Sequence, residues 1–441
     1  MNQLSGHFTI RRLLKYCAAP VAMMVFTSIY GVVDGFFVSN WAGQTAFASV
    51  NLIMPALMIL SGLGFMFGTG GTALAARTLG EGKEKLASEY FSMVTWTAAI
   101  AGLVLGIIGC IFAPDIARML GADSSMMADC VTYARVILVF NATYMVQNLF
   151  QSFLSAAGRP GLGFVITVAA GLTNMVLDWL FVAVFHWGVA GAAMATSIGT
   201  VIGSVWPMVW FMKSSHTPLR LVPVRFSVRP ILQSCLNGLS ELMSNISSSL
   251  VAILFNFQLM RYAGQQGVAA YGVVMYLSFF FVAVFFGYTV GASPVISYHF
   301  GAGDRKELHS LFCKSLVITI TAGLVMMGAA ETLAEPLSSL FVGYDAGLEA
   351  MTIHAMRIFA TCIAFAGFNI FTSALFTALN NGVISAAVAF LRSLVFQASC
   401  VIILPQFFAV AGIWWSMTAA EVLAMIVNLV ILAKEQKRYG Y

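Results

Sequence analysis

Residues 28–43 read SIYGVVDGFFVSNWAG. Asp34 stands inside a run otherwise suited to lipid, and the run ends in a Trp-Ala-Gly turn. That turn returns 221 residues later, where Trp41-Ala42-Gly43-Gln44 falls on Tyr262-Ala263-Gly264-Gln265. At the same offset Gly70 falls on Gly291, Gly80-Glu81-Gly82 on Gly301-Ala302-Gly303, and Lys85 on Lys306. With a slip of one, Pro114 meets Pro336 and Arg135 meets Arg357; near the end Val189-Ala190-Gly191 meets Val410-Ala411-Gly412. Isolated matches are chance, whereas a run of them at one offset is a duplication. The chain therefore reads as two copies, 1–212 and 231–441, joined by a basic connector at 213–230 that carries Pro218, Pro223 and Pro230.

Each copy is apolar throughout. Of the 441 residues, 60% are hydrophobic and 9% charged, against about 25% charged in a soluble domain. A membrane span needs about 20 apolar residues. Cutting at polar, Gly and Pro punctuation gives twelve, at 14–39, 46–76, 89–112, 130–154, 162–185, 189–212, 231–259, 268–298, 311–332, 351–378, 383–404 and 411–433. With the N-terminus inside, seventeen Lys and Arg fall on inner segments and two, Arg118 and Arg261, on outer loops. That asymmetry puts both termini in the cytoplasm. The fold class is an all-α polytopic membrane protein of two parallel six-helix repeats, related by an axis along the membrane normal. Secondary transporters built from such repeats run their path between bundles that rock against each other. The seven cysteines are scattered and form no CxxC, so they read as small buried hydrophobes. The N-terminus lacks a signal-peptide cleavage pattern.

An ionisable side chain at mid-membrane is expensive and functional by default. Five stand well inside the spans: Asp34, Asp178, Glu241, Arg392 and Glu421. Asp34 precedes the outer turn at 41–43 by seven residues and Asp178 precedes the turn at His186 by eight. At about 1.5 Å per residue, both lie roughly 10–13 Å below the outer surface, with Thr196 level on the next span. Asn174 lies one turn from Asp178 on the same face. The second copy has Phe255 and Cys400 where the first has the two acids, which makes the first half the ion-handling half. Two carboxylates in a dry pocket either share protons or hold a cation such as Na+ on oxygen ligands, and the residues do not choose between H+ and Na+. Glu241, with Ser240, Ser244, Asn245 and Ser248 around it, suits a wet face that recognises a cationic ligand; Asn245 and Gln147 join it as substrate-lining candidates. Arg392 and Glu421 read as a buried structural ion pair.

Other signals are discounted. Gly68-Thr69-Gly70-Gly71-Thr72-Ala73 matches GxGxxA but has no strand before it, so the glycines serve helix packing. Gly80-Glu81-Gly82-Lys83 has the wrong spacing for a phosphate loop. No catalytic motif, organic cofactor or nucleic-acid patch is indicated; the partners are the bilayer and small molecules, and nothing calls for more than a monomer.

YGVVDGFFV (30–38), FQSFLSAAGRPGLG (150–163), and LTNMVLDWLF with WGVAGAAMAT (172–196) resemble the multidrug and toxic-compound extrusion family, MATE, and in it the DinF-type bacterial branch. NGLSELMSNISSS and LMRYAGQQGVAAYGVVMY resemble its MepA-type group. The resemblance implies two six-helix bundles forming a V in a bacterial cell membrane. It implies export of lipophilic, often cationic, drugs and dyes in exchange for H+ or Na+, with the cation site at Asp34, Asn174, Asp178 and Thr196. Some branches carry second-half coupling acids, and Glu241 is the one acid that spans 7, 8 and 10 offer here. A lipid-precursor or polysaccharide flippase is the alternative, and it would want a basic cavity where this chain has Arg392 alone.

Overall fold

A computed structural model describes residues 3–214 and 217–441. Residues 1–2 and 215–216, which belong to the N-terminal segment and the connector, lie outside the described residues.

Among the described residues, nine helices are long and apolar enough to cross a membrane. Two of these are broken. Val228–Gly301 is interrupted at Gly264 (φ 65°, ψ −156°) and Gly382–Tyr439 at Ala409 (φ 49°, ψ −132°). A further rod consists of Met127–Val139 and Asn141–Ala156, which meet at Phe140. Twelve rods result. They are α1 (Ile10–Ala42), α2 (Gln44–Gly80), α3 (Glu84–Met119), α4 (Met127–Val139 with Asn141–Ala156), α5 (Pro160–Val184) and α6 (Gly188–Lys213). The second six are α7 (228–263), α8 (265–301), α9 (Arg305–Val342), α10 (Ala346–Ala378), α11 (382–408) and α12 (410–439).

The rods run longer than the hydropathy spans. The third was expected at 89–112 and is helical over Glu84–Met119. Hydropathy sees the hydrocarbon layer, whereas helix hydrogen bonds continue past it. The loops expected at 260–267 and 405–410 shrink to the single residues Gly264 and Ala409. The expected 130–154 span breaks at Phe140, which hydropathy cannot mark. Pro20 lies inside α1, which stays helical through it.

The sequence offset reappears in the backbone. Left-handed turn residues pair at 221 or 222: Gly43 with Gly264, Gly82 with Gly303, Gly158 with Asn380, and Gly188 with Ala409. Helix starts are capped where the chain emerges. Asp304 accepts the Glu307 N–H at 3.0 Å, and Asp345 accepts those of Gly347 and Leu348 at 2.9 and 3.1 Å. Apolar side chains face outward along lipid stripes such as Leu103, Ile107 and Ile111, the last 64% exposed.

The halves meet where α1 and α2 pack on α7 and α8. A Cβ on Gly80 would overlap Tyr298 O, and one on Gly301 would overlap Arg77 O. These two contacts exchange under the 221 offset. Likewise Gly70 lies against Gly238, and Gly291 against Cys17, the counterpart of Gly238. Glycine permits these approaches because the backbones touch. All lie toward the end that carries both termini and the connector. That end is closed, whereas toward the other, open end a Cβ on Gly31, Gly43, Gly264 or Gly272 would meet nothing within 4 Å. At the closed end Lys83, 2.9 Å from Glu81, with Arg77 at 3.2 Å, holds the Glu81 carboxyl below its ordinary range.

Candidate functional site

In the first half α1 and α5 run side by side in the same direction. Gly171 permits this, since a Cβ there would come within 2.6 Å of Phe26 Cε1. About two turns further toward the open end the same two helices present Asp34 and Asp178. The two carboxyl groups lie within hydrogen-bonding reach of each other. Asp178 is fully buried. Both of its oxygens and Asp34 Oδ1 have no donor among the described residues.

Antiparallel α6 closes the pocket. Gly199 packs on Ala170 O and on Asn174 Cβ. Asn174 Nδ2 then donates to Thr196 Oγ1 at 3.4 Å, and Asn174 Oδ1 is left without a donor. Thus Asp34, Asn174, Asp178 and Thr196, grouped by depth, helical face and family resemblance, come together at one pocket. The orphaned atoms there are all oxygens. Acceptors without donors, buried together, lack a positively charged or proton-bearing partner.

Two features of this pocket had no reading in the sequence. Tyr133 on α4, 2% exposed, lies within the field of both carboxyls. A phenol near the outer end of an apolar span was the available signal. Helix geometry also changes beside the acids: π turns follow Asp34 at Val38–Ala42 and Asp178 at Trp179–Val184. A third, Leu391–Phe396, contains Arg392. Such wider turns recur at functional sites, and composition does not encode them.

The substrate-lining candidates separate. Glu241 and Asn245 sit on α7 where the halves meet, and a Cβ on Gly62 of α2 would lie 3.1 Å from Asn245 Cβ. The Glu241 carboxylate has no hydrogen-bond or ion-pair partner among the described residues, and the charge whose field reaches it is Arg392. Gln147, by contrast, is 6% exposed and turned into the first half. It packs on Gly203 of α6, one turn from Gly199, and a Cβ there would meet Gln147 Cδ at 2.6 Å. Its Oε1 also lacks a donor. Grouped with Glu241 as a substrate-lining candidate, Gln147 lies instead on the face of α4 that packs into the first half.

Arg392 and Glu421 do pair. Arg392 Nε and Nη2 each reach Glu421 Oε1 at 2.9 Å. Asn369 Nδ2 donates to Glu421 Oε2 at 2.7 Å, and Asn428 Nδ2 to Asn369 Oδ1 at 2.8 Å.

The family model MatE matches residues 20–180 and 242–403, one stretch in each half. The multidrug export protein MepA of Staphylococcus saprophyticus is 24% identical over 420 residues, 93% of this chain and 91% of the relative. The crystal structure of MATE in complex with MaL6 superposes with a TM-score of 0.94 at 21% identity, over 99% of this chain and 98% of that one. An outward-facing multidrug resistance MATE family transporter of the MOP superfamily superposes at 0.93 and 22%, over 99% and 98%.

Proposed function

This chain belongs to the MatE family, and from that membership we propose that it is a multidrug efflux transporter of the cell membrane, exchanging lipophilic organic cations for H+ or Na+. The observation that carries the exchange is the Asp34–Asp178 pair, two carboxyls in mutual reach with orphaned oxygens and, among the described residues, no ion-pair partner. Two such groups need a proton or a metal cation between them. Asn174 Oδ1 and Thr196 Oγ1 complete an all-oxygen set fit for Na+; the same set accepts a proton relayed by water.

The mechanism follows from where the charge sits. A cation entering from the open side neutralises the pair and changes how α1 packs on α5. The drug occupies the cleft between the halves, where the unpaired Glu241 carboxylate and Asn245 meet it. A cation drives the change only by as much as its affinity differs between the two states. With both termini cytoplasmic, the tightly packed end lies inside, and the closed contacts there support an outward-facing reading, the state in which drug leaves and the coupling ion enters.

Ethidium efflux from pump-deficient cells under an imposed pH gradient, then an imposed Na+ gradient, tests this. Efflux following one gradient identifies the ion. No efflux under either, from protein present in the membrane, rules out the exchange and favours lipid-linked cargo.

A further inference from the structure

The helices that lead each half, α1 and α7, are both preceded by a segment lying across the other half. Connector residues ahead of α7 lie on α3: the Arg220 and Val222 N–H groups donate to the Ser88 and Ser92 hydroxyls at 3.2 and 2.9 Å. Residues 3–9, ahead of α1, lie on α9. There the Phe8 N–H donates to Glu307 Oε1 at 2.8 Å, and His7 Nδ1 lies 2.6 Å from Glu307 Oε2. The Lys314 ammonium donates to Phe8 O. Leu4 and Phe8 are fully buried in a cluster with Val295, Leu308 and Leu311 of the second half. The segment is wound into a hook by Arg12, whose guanidinium donates to the carbonyls of His7, Ser5 and Gln3 at 2.9, 2.9 and 3.2 Å. The root of the hook belongs to the first half, where Tyr16 donates to Ser155 O and Gln3 packs on Gly158.

The two crossings differ in kind. The connector is covalently continuous with both halves, so it follows them when they part. The hook joins the halves by noncovalent contacts alone, and it does so at the closed end. Rocking that end open strains either the root or the catch. The root is backed by the packing of α1 on α5, whereas the catch is the Glu307 carboxylate, the Lys314 ammonium and two apolar side chains.

We propose that residues 3–9 are a latch and that Glu307 is its catch, a positioning residue that keeps the closed end shut between transport strokes. The proposal rests on the alternating-access reading above, but its test needs neither drug nor coupling ion. Nitroxide labels at Lys85 and Lys306, exposed repeat partners at the closed end, report the separation of the halves by electron–electron distance measurement. The full chain is used in lipid nanodiscs with native cysteines replaced by alanine. Losing both hydrogen bonds of the catch shifts such an equilibrium by about tenfold or more. Glu307→Ala is expected to raise the long-distance population by that factor, and deletion of residues 2–8 to do the same. Glu307→Gln still accepts the Phe8 N–H and donates to a neutral His7, so it is expected to keep the parent distribution. Unchanged distances in both Glu307→Ala and the deletion variant overturn the latch. So does a Glu307→Gln variant that opens as far as Glu307→Ala. If Glu307→Ala fails to fold, the deletion variant decides alone.

Discussion

Removing one partner of the Arg392–Glu421 pair should cost far more than removing both. Glu421 is 3% exposed and takes three nitrogens, Nε and Nη2 of Arg392 and Nδ2 of Asn369, at 2.7–2.9 Å. Glu421→Ala strands the guanidinium, whose side chain is 17% exposed, and empties the acceptor that Asn369 uses. Breaking a buried pair on one side costs about 3–5 kcal/mol, while apolar replacement of both partners is close to neutral. Arg392→Met leaves Glu421 with the Asn369 amide, so its loss should be the smaller of the two. The double variant Arg392→Met/Glu421→Met should recover most of the stability, giving a coupling of about 2–4 kcal/mol. Steric-trapping measurements of unfolding in bilayers give these free energies directly. Additive single effects would refute the structural reading. So would a well-folded double variant that has lost efflux, because the guanidinium would then belong to the transport site beside Glu241.

Three further outcomes follow from single contacts. Gly238→Ala places a methyl against Met66 O and should part α2 from α7, raising the alkylation rate of buried Cys17 at the neighbouring α1–α8 contact; Gly161→Ala, with nothing within 4 Å, should leave that rate unchanged. Glu241→Gln should weaken binding of tetraphenylphosphonium by about tenfold, the worth of one ion contact in a half-wet cleft, with the affinity for an uncharged substrate little altered in equilibrium dialysis. Gln147→Met replaces a buried acceptor that lacks a donor with an apolar chain of like shape; it should raise stability by about 1 kcal/mol, read as a higher melting temperature, and a lower one would show that the amide has a partner.

Much of the architecture was legible because lipid imposes simple rules. Apolar length sets where helices run, and the 221 offset shows again in the turn residues Gly43 and Gly264 and in the exchanged contacts of Gly80 and Gly301. Depth and helical face grouped Asp34, Asn174, Asp178 and Thr196, and the structure brings them together because α1, α5 and α6 pack side by side. Counting is silent where facing matters. Gln147 is polar and near mid-span, yet Gly203 admits it to the interior of the first half. The π turns after Asp34 and Asp178 arise from packing, with no residue that announces them. The latch was hidden because His7 and Glu307 lie 300 residues apart, and pairing across such a separation has no local signature.

The central claim is that drug bound beside Glu241 is exchanged for a cation held by Asp34 and Asp178. Its most direct test is cation release from purified protein on drug binding, followed with a pH-sensitive dye in weak buffer and with a Na+ electrode. Adding tetraphenylphosphonium to the wild-type protein is expected to release H+ or Na+ in near-stoichiometric amount, and Asp34→Asn is expected to bind the drug and release neither. Undiminished release from Asp34→Asn would contradict the account and place the exchanging cation elsewhere, with Glu241 the first residue to examine.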